Sequence, residues 1–257
     1  MGVEFAMPTL LGLLLGSVRS AAWLLVSPPF ATRTIPGTVK AMLAVALALP
    51  VASQIGPKVP ELSTGGLISA IVLQVVTGAA LGFVTYLLFA AIQAAGDLID
   101  LFGGFTLASA YDPMSMSQSS IFGRFHQLLG LTLLFVTDAH LLIVSGFLRS
   151  YDAIPVTEGV ALDATADTLL KGMTQFFLAA LEIAGPMIIV LFLADVALGL
   201  LTRVSPQLNA FTLGFPLKIF LTLALIGFTF PLLPGAIDGL SDAAADATLS
   251  LFGGETE

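Results

Sequence analysis

The chain is 257 residues long, with 57% hydrophobic and only 10% charged residues. A soluble domain is about one-quarter charged, so this chain has too few charges to cover a water-facing surface, and its outer surface must face lipid. The net charge of −8 argues against nucleic-acid binding, which needs clustered Lys and Arg. Without cysteine the chain has no disulfide or thiolate nucleophile. We interpret it as a polytopic integral membrane protein with a single membrane domain, residues 1–257.

Six apolar runs, each bounded by Pro, Gly or charged residues, predict an all-α fold of about six long hydrophobic helices. As one helix, the third run would be about 54 Å long, whereas the hydrocarbon core of a bilayer is about 30 Å thick. The third and fifth runs must therefore tilt, break or project beyond the bilayer. In the fifth run, Gly185-Pro186 predicts a kink, because proline lacks a backbone donor. In chain order, the runs cover residues 5–27, 39–55, 67–102, 121–148, 169–204 and 210–233.

Small residues recur at four-residue spacing within the runs, which places each pair on one helix face. Such faces let a neighbouring backbone approach closely. Packing within this subunit and packing onto a partner subunit are equally consistent with the pattern. The pairs are Gly12 with Gly16, Gly78 with Gly82, and Ala91 with Ala95.

Charged side chains inside the apolar runs are the first candidate functional group, because a charge in hydrocarbon costs several kcal/mol unless it is paired or hydrated. One hypothesis makes Asp138 and His140 a proton relay, since histidine titrates near neutral pH. The other pairs each acid with a basic side chain of another helix, and we favour it because buried membrane charges are commonly paired. The predicted buried charge network contains Arg19, Asp97, Asp100, Arg124, Asp138, His140, Glu182, Asp195, Arg203 and Lys218.

Motifs of known enzymes are missing from the sequence. It contains neither an HExxH zinc site nor a GxSxG nucleophile elbow. Tyr111-Asp112 and Tyr151-Asp152 resemble one half of an intramembrane aspartyl protease pair, but the GxGD partner motif is absent. The two histidines are not spaced to share a metal ion. We therefore predict no catalytic residue, no cofactor and no metal site.

The most unusual stretch joins the third and fourth runs, at residues 103–120. It mixes small, aromatic and methionine residues, and Asp112 is its only charge. Methionine is flexible and suits a surface that must seal and then repack, and irregular backbone at membrane depth must be shielded by protein or line a cavity. From composition alone, a sealing loop and an ordinary Ser-rich loop remain equally open.

An ordered series of short motifs runs over essentially the whole chain. It begins with Arg33-Thr34-Ile35-Pro36 and Lys40, continues through Asp112-Pro113, Asp138 and His140, and is densest at residues 203–218. In this order and spacing the sequence resembles the family of flagellar biosynthetic protein FliR and its injectisome relatives, the export-gate subunits of type III secretion. Ala210 departs from the branched apolar residue expected there. The loop residues that carry the densest match are Pro206, Gln207, Asn209, Phe211, Gly214 and Pro216.

The resemblance implies a single copy of this chain in a hetero-oligomer with FliP-like and FliQ-like membrane subunits, beside a FlhB-like subunit. Such a gate passes unfolded flagellar proteins across the bacterial inner membrane, in the flagellar basal body. Residues 1–150 would be a FliP-like portion, and residues 165–257 a FliQ-like helical hairpin with an acidic C-terminal tail. The family's pore plug corresponds to residues 105–123 here. Its predicted members are Phe105, Leu107, Tyr111, Asp112, Pro113, Met114, Met116, Ile121 and Phe122.

The alternative function is that of a proton- or ion-coupled transporter. Such a protein would carry matching helix breaks in its two halves, and Gly185-Pro186 has no counterpart in the first half. The two readings differ in behaviour: a gate subunit co-purifies with other membrane subunits, whereas a transporter is intact alone or as a homo-oligomer.

Overall fold

The computed structural model describes residues 7–32, 34–59, 63–106, 120–156, 162–205 and 210–250, and this part of the chain contains helices and no strand. Two short 3-10 helices, Gly56–Lys58 and Ile226–Leu232, accompany the α-helices. The α-helices are α1 (Met7–Val26), α2 (Gly37–Ile55), α3 (Thr64–Gly103), α4 (Ile121–Val136), α5 (Ala139–Ala153), α6 (Leu162–Val204), α7 (Ala210–Leu225) and α8 (Leu233–Ser250).

The predicted fold class is confirmed, because the described helices are long and apolar enough for several membrane crossings. Five stretches qualify by themselves, and α4 with α5 qualifies as a sixth if the broken pair is one span. α3 has 40 residues and α6 has 43, so each extends about 60 Å or more. The chain is therefore an all-α polytopic membrane protein with two helices much longer than a bilayer core is thick.

The fourth apolar run is broken, which the sequence did not predict. α4 ends at Val136, and Asp138 adopts φ +58°, a left-handed conformation that no regular helix contains. Asn and Asp tolerate this conformation better than most residues do. By contrast, α6 is one continuous helix through Pro186, the site of the predicted kink.

The chain divides into two compact units. The first comprises Met1–Leu88, Asp138–Met173 and Ser241–Glu257. Its core contains Trp23, which stacks on Phe147 with ring centroids 4.3 Å apart. The second comprises Phe89–Thr137 and Thr174–Leu240, so α3, α6 and α8 each contribute residues to both units.

Small residues pack within the first unit, which resolves one of the alternatives left by the sequence. A Cβ added at Gly12 would lie 2.8 Å from the carbonyl oxygen of Ala52 in α2, and one at Gly16 would lie 3.2 Å from the Cβ of Ala48. A Cβ at Gly78 would lie 2.9 Å from Ala22 in α1. These glycines bring α2 and α3 against α1 at backbone distance, as small-residue faces do in membranes.

Candidate functional site

The residues that flank the Met-containing loop are joined by hydrogen bonds in the second unit. Asp100, near the end of α3, is 1% exposed, and its Oδ2 accepts a hydrogen bond from the Ser120 hydroxyl and one from the Phe122 backbone N–H at 3.0 Å. Ser120 is the N-cap of α4 and accepts from the Gly123 N–H at 2.8 Å. A carboxylate and a hydroxyl thus satisfy N–H groups at a helix N-terminus, where the dipole favours negative charge. We call Asp100, Ser120, Phe122 and Gly123 the clasp.

Two glycines allow α3 and α4 to cross at the clasp. A Cβ added at Gly96 would lie 2.6 Å from the Gly123 Cα and would overlap the Phe122 carbonyl. A Cβ added at Gly123 would overlap Oδ1 of Asp97. A side chain at residue 96 would therefore require the backbone to move, whereas one at residue 123 would displace the side chains of Asp97 and Ser120. Oδ1 of Asp97 and Oδ1 of Asp100 are buried and lack a hydrogen-bond donor in the described part of the chain.

A buried histidine extends the clasp within the second unit. The Nδ1 of His126 lies 2.9 Å from the carbonyl oxygen of Phe122, to which it donates, and Nε2 lies 3.3 Å from Thr229 Oγ1. Thr229 donates its hydroxyl proton to the Ile226 carbonyl at 2.8 Å. Phe105 packs edge-to-face on Phe122 with centroids 5.2 Å apart. The start and end of the predicted plug segment are therefore in contact.

Among the described residues of the first unit, Arg19 is the most buried cation, and it forms no ion pair with any of them. It is fully buried, and its Nε donates to Gln74 Oε1 at 2.6 Å. Nη1 donates to the Ser150 carbonyl at 2.9 Å, and Nη2 to the Ile154 carbonyl at 3.0 Å, so the guanidinium covers the C-terminal end of α5. The ring of Tyr151 lies 4.5 Å from the guanidinium carbon. Carbonyls at a helix C-terminus attract a cation, so Arg19 is satisfied by neutral groups and the helix dipole.

Asp195 and Lys218, both members of the predicted charge network, form an ion pair. Their Oδ2 and Nζ atoms lie 2.9 Å apart, between α6 and α7. Arg124 donates to Gln127 at 2.7 Å and is exposed. Asp138, Glu182 and Arg203 are exposed, and His140 is half-buried. A network that includes these residues stays a prediction about the assembled protein, because the isolated chain does not enclose them.

Part of the predicted site lies outside the described residues. The structure does describe Phe105, Ile121 and Phe122 of the plug segment: Phe122 is buried and Ile121 is 61% exposed. In the family-pattern loop it describes Gly214, which is buried, and Pro216, which lies inside α7. The side chain of Phe211 is not described. The predicted residues outside the described part are Leu107, Tyr111, Asp112, Pro113, Met114, Met116, Pro206, Gln207 and Asn209.

Several polar residues that organise the two units were not predicted. Gln74 fixes Arg19 and also donates to the Val156 carbonyl at 2.7 Å. Tyr151 donates to the Gly16 carbonyl at 2.6 Å. An amide within a long apolar run was a usable signal for Gln74, since a buried polar group needs a partner. Ser120 could have been found as an N-cap from its place before an apolar run.

The described residues contain no group of three or more His, Asp or Glu that could hold a metal ion. Their arrangement instead suits mechanical tasks: it ties helix ends together and lets helices approach closely.

Comparison with known proteins gives the same family along nearly the whole chain. Residues 10–244 match the family described as bacterial export proteins, family 1. The chain is 32% identical over 210 residues to flagellar biosynthetic protein FliR of Bacillus subtilis, which covers 80% of this chain and 81% of that protein. It is 33% identical over 218 residues to the FliR of Escherichia coli K12, with 84% and 83% covered. For the FliR of Aquifex aeolicus the identity is 28% over 225 residues, with 87% of each chain covered.

Proposed function

Since this chain belongs to the family of flagellar biosynthetic protein FliR, within the bacterial export proteins of family 1, we propose that it is a structural and gating subunit of the flagellar type III export gate. It is an inner-membrane component of the flagellar export apparatus. In the proposed assembly, one copy joins FliP-like and FliQ-like subunits, beside a FlhB-like subunit, in the basal body. Together they form the channel for unfolded flagellar proteins.

Within this assembly, residues 105–123 serve as the plug, and the clasp is the observation that carries this proposal. Asp100 lies before this segment, whereas Ser120 and Phe122 lie at its C-terminal end, and hydrogen bonds join them. The loop therefore leaves and re-enters the helices at one place. Its composition, with Met114, Met116 and one charge, suits a seal that opens without breaking an ion pair.

The clasp also explains how a plug could move without unfolding the helices. Hydrogen bonds at the base fix the two ends of the loop, while the composition of its interior suits weak apolar contacts. The many contacts of an apolar seal each contribute only about 0.1–0.2 kcal/mol. A passing chain can displace such a seal while the base stays intact.

The test is a deletion within the loop, several residues between Ala110 and Ser117, which leaves every residue of the clasp in place. We expect normal assembly, measured by co-purification of the FliP-like and FliQ-like subunits. We also expect a leak of small ions, measured as membrane depolarisation in cells and as conductance of the purified complex. Gly-Ser residues of equal number in place of the deleted segment provide the matched control for loop length. If the shortened protein assembles normally and the membrane leaks no more ions than with wild type, the loop is not the plug.

The proposed hetero-oligomer and the proposed division of the chain are tested by other measurements. If the chain is a subunit of a hetero-oligomeric gate, mild-detergent purification yields it with other membrane subunits. A transporter would instead be recovered intact, alone or as a homo-oligomer. The proposed division into a FliP-like portion, residues 1–150, and a FliQ-like hairpin, residues 165–257, predicts that these two portions contact different partner subunits in cross-linking.

A further inference from the structure

Glu182 lies in the middle of an apolar segment of α6. Between Lys171 and Asp195 it is the only charged residue of this helix. Residues 172–194 extend about 34 Å as a helix, close to the hydrocarbon thickness of about 30 Å. Glu182 therefore lies near the midplane of the candidate span Thr165–Val204.

The side chain of Glu182 is exposed, and its carboxylate is unsatisfied among the described residues. It forms no hydrogen bond or ion pair with any residue that the structure describes, and its side chain lies on the open surface of α6. A carboxylate that faces hydrocarbon at this depth costs several kcal/mol. Something outside the described part of the chain must therefore satisfy it.

The surface around Glu182 has the shape of a helix-docking stripe. Leu178, Glu182, Gly185, Ile189 and Phe192 follow at alternating four- and three-residue spacing, so they share one face. Leu178 is 55%, Ile189 61% and Phe192 57% exposed. A Cβ built on Gly185 meets nothing within 4 Å, which leaves room for the backbone of another helix. We call these five residues the α6 stripe.

Another face of α6 at this level is already buried. Ile183, Ala184, Met187 and Leu191 are each at most 1% exposed. The helix thus has one satisfied face and one open face, and the only charge of the segment lies on the open one. Apolar side chains above and below Glu182 argue against a water-filled channel, which would be lined by polar groups.

We propose that the α6 stripe is the docking surface for a membrane helix of another subunit, which places a Lys or Arg side chain against the Glu182 carboxylate. The inference rests on the proposed hetero-oligomer but not on the plug. A cation is the complement that a carboxylate requires in a dry site, and Gly185, one turn away, allows the two helix axes to approach.

Cross-linking in the assembled complex tests the identity of the occupant. A photoreactive residue replaces Leu178 or Ile189 on the stripe, with Phe177, 57% exposed on a different face, as the matched control. We expect Leu178 and Ile189 to cross-link to the same partner subunit, and Phe177 not to reach that subunit's helix. A product twice the mass of this chain would mean that a second copy covers the stripe, and products with lipid alone would mean that nothing docks there; either result overturns the inference.

Substitutions test the charge. Glu182→Leu should lower co-purification of the cross-linked partner roughly tenfold or more, because it strands a buried cation, and Glu182→Gln should lower it less. Glu182→Lys should abolish it, and a Lys→Glu or Arg→Glu change at the cross-linked position of the partner should restore it. If Glu182→Leu and Glu182→Gln assemble as well as wild type, the carboxylate faces lipid or water and the inference is wrong. If the wild-type protein co-purifies with no other subunit, the proposed function is wrong instead.

A further experiment tests whether residue 182 faces water in the assembled complex. The chain has no cysteine, so Glu182→Cys introduces a unique thiol into it. In the assembled complex we expect this thiol to resist a water-soluble thiol reagent. Rapid labelling there would place residue 182 in an aqueous channel and overturn the docking surface.

Discussion

At the scale of single residues, each unit holds its most buried charge at a helix end of matching polarity. Arg19 donates to carbonyls at the C-terminal end of α5. Asp100 accepts from the N–H of Phe122 in the first turn of α4. The partial charges at helix termini favour a cation at the C-terminus and an anion at the N-terminus. Backbone contacts therefore accommodate the charges of Arg19 and Asp100, whereas Asp195 pairs with Lys218; for the other members of the network, pairing of acids with basic residues stays a prediction.

Arg19 gives the sharpest prediction at this scale. Arg19→Leu leaves Gln74 Oε1 and the carbonyls of Ser150 and Ile154 without their guanidinium donors. Each unsatisfied buried group costs about 1–3 kcal/mol, so we expect a loss of roughly 3 kcal/mol or more in the free energy of unfolding. Chemical denaturation of the purified complex in detergent measures this loss.

A matched control separates the role of Arg19 from a general effect of charge. Arg149 is exposed, and Arg149→Leu should change the free energy of unfolding by no more than about 0.5 kcal/mol. Arg19→Lys keeps the charge but loses the planar guanidinium group with its several N–H donors. Its loss in the free energy of unfolding should lie between those of the two leucine variants. Equal stability of Arg19→Leu and Arg149→Leu would show that the hydrogen bonds of Arg19 contribute nothing.

At the scale of elements, the sequence predicts the helices well and their ends poorly. The apolar runs located α1, α2, α3 and α6, because a continuous run beyond the length of a bilayer crossing has few alternatives to a helix. The break at Asp138 was not predictable, since residues 131–145 contain neither Gly nor Pro. The backbone groups that bind Arg19 and Asp100 were not predicted, for a related reason. Arg19 and Asp100 use backbone groups, which every residue carries and no motif reveals.

The crossing of α3 and α4 depends on Gly96, and this predicts a specific effect of one methyl group. Gly96→Ala places a Cβ against the Phe122 carbonyl and 2.6 Å from the Gly123 Cα, so α4 must shift and the clasp must loosen. Both obstructing groups are backbone, which cannot rotate away. We expect a stability loss of about 1–3 kcal/mol together with an ion leak, if the clasp positions the plug. Denaturation and membrane depolarisation measure the two effects.

Gly199 in α6 provides the control, because a Cβ added there meets nothing within 4 Å. Gly199→Ala should leave the isolated chain's helix equally stable or more stable, by up to about 1 kcal/mol, since alanine is the better helix former. If Gly96→Ala and Gly199→Ala give the same free energy of unfolding and the same membrane depolarisation, the close contact of α3 and α4 contributes neither to stability nor to the seal.

At the scale of the whole molecule, the chain is incomplete by itself in chemical terms. Lipid can cover its exposed apolar side chains, but it cannot satisfy the exposed carboxylate of Glu182 near midspan. Lipid also supplies no hydrophobic force that would hold helices together, so helix faces with small residues need complementary helices. Gly185 on α6 has open space beside it, in contrast to Gly12, Gly16 and Gly78 of the first unit.

We therefore expect the chain to aggregate or to be degraded when it is made without other subunits of the export apparatus. Size-exclusion chromatography with light scattering, on detergent-purified chain made with and without FliP-like and FliQ-like subunits, measures this directly. Co-expression should convert aggregate into a defined hetero-oligomer, because partner helices supply the donors and surfaces that lipid lacks. A variant that carries Glu182→Leu alone should aggregate less than wild type without partners, since it removes the unsatisfied charge, yet it should assemble worse with them. This opposite response to one substitution distinguishes a missing partner from simple insolubility, and a monodisperse, folded wild-type monomer would contradict the expectation.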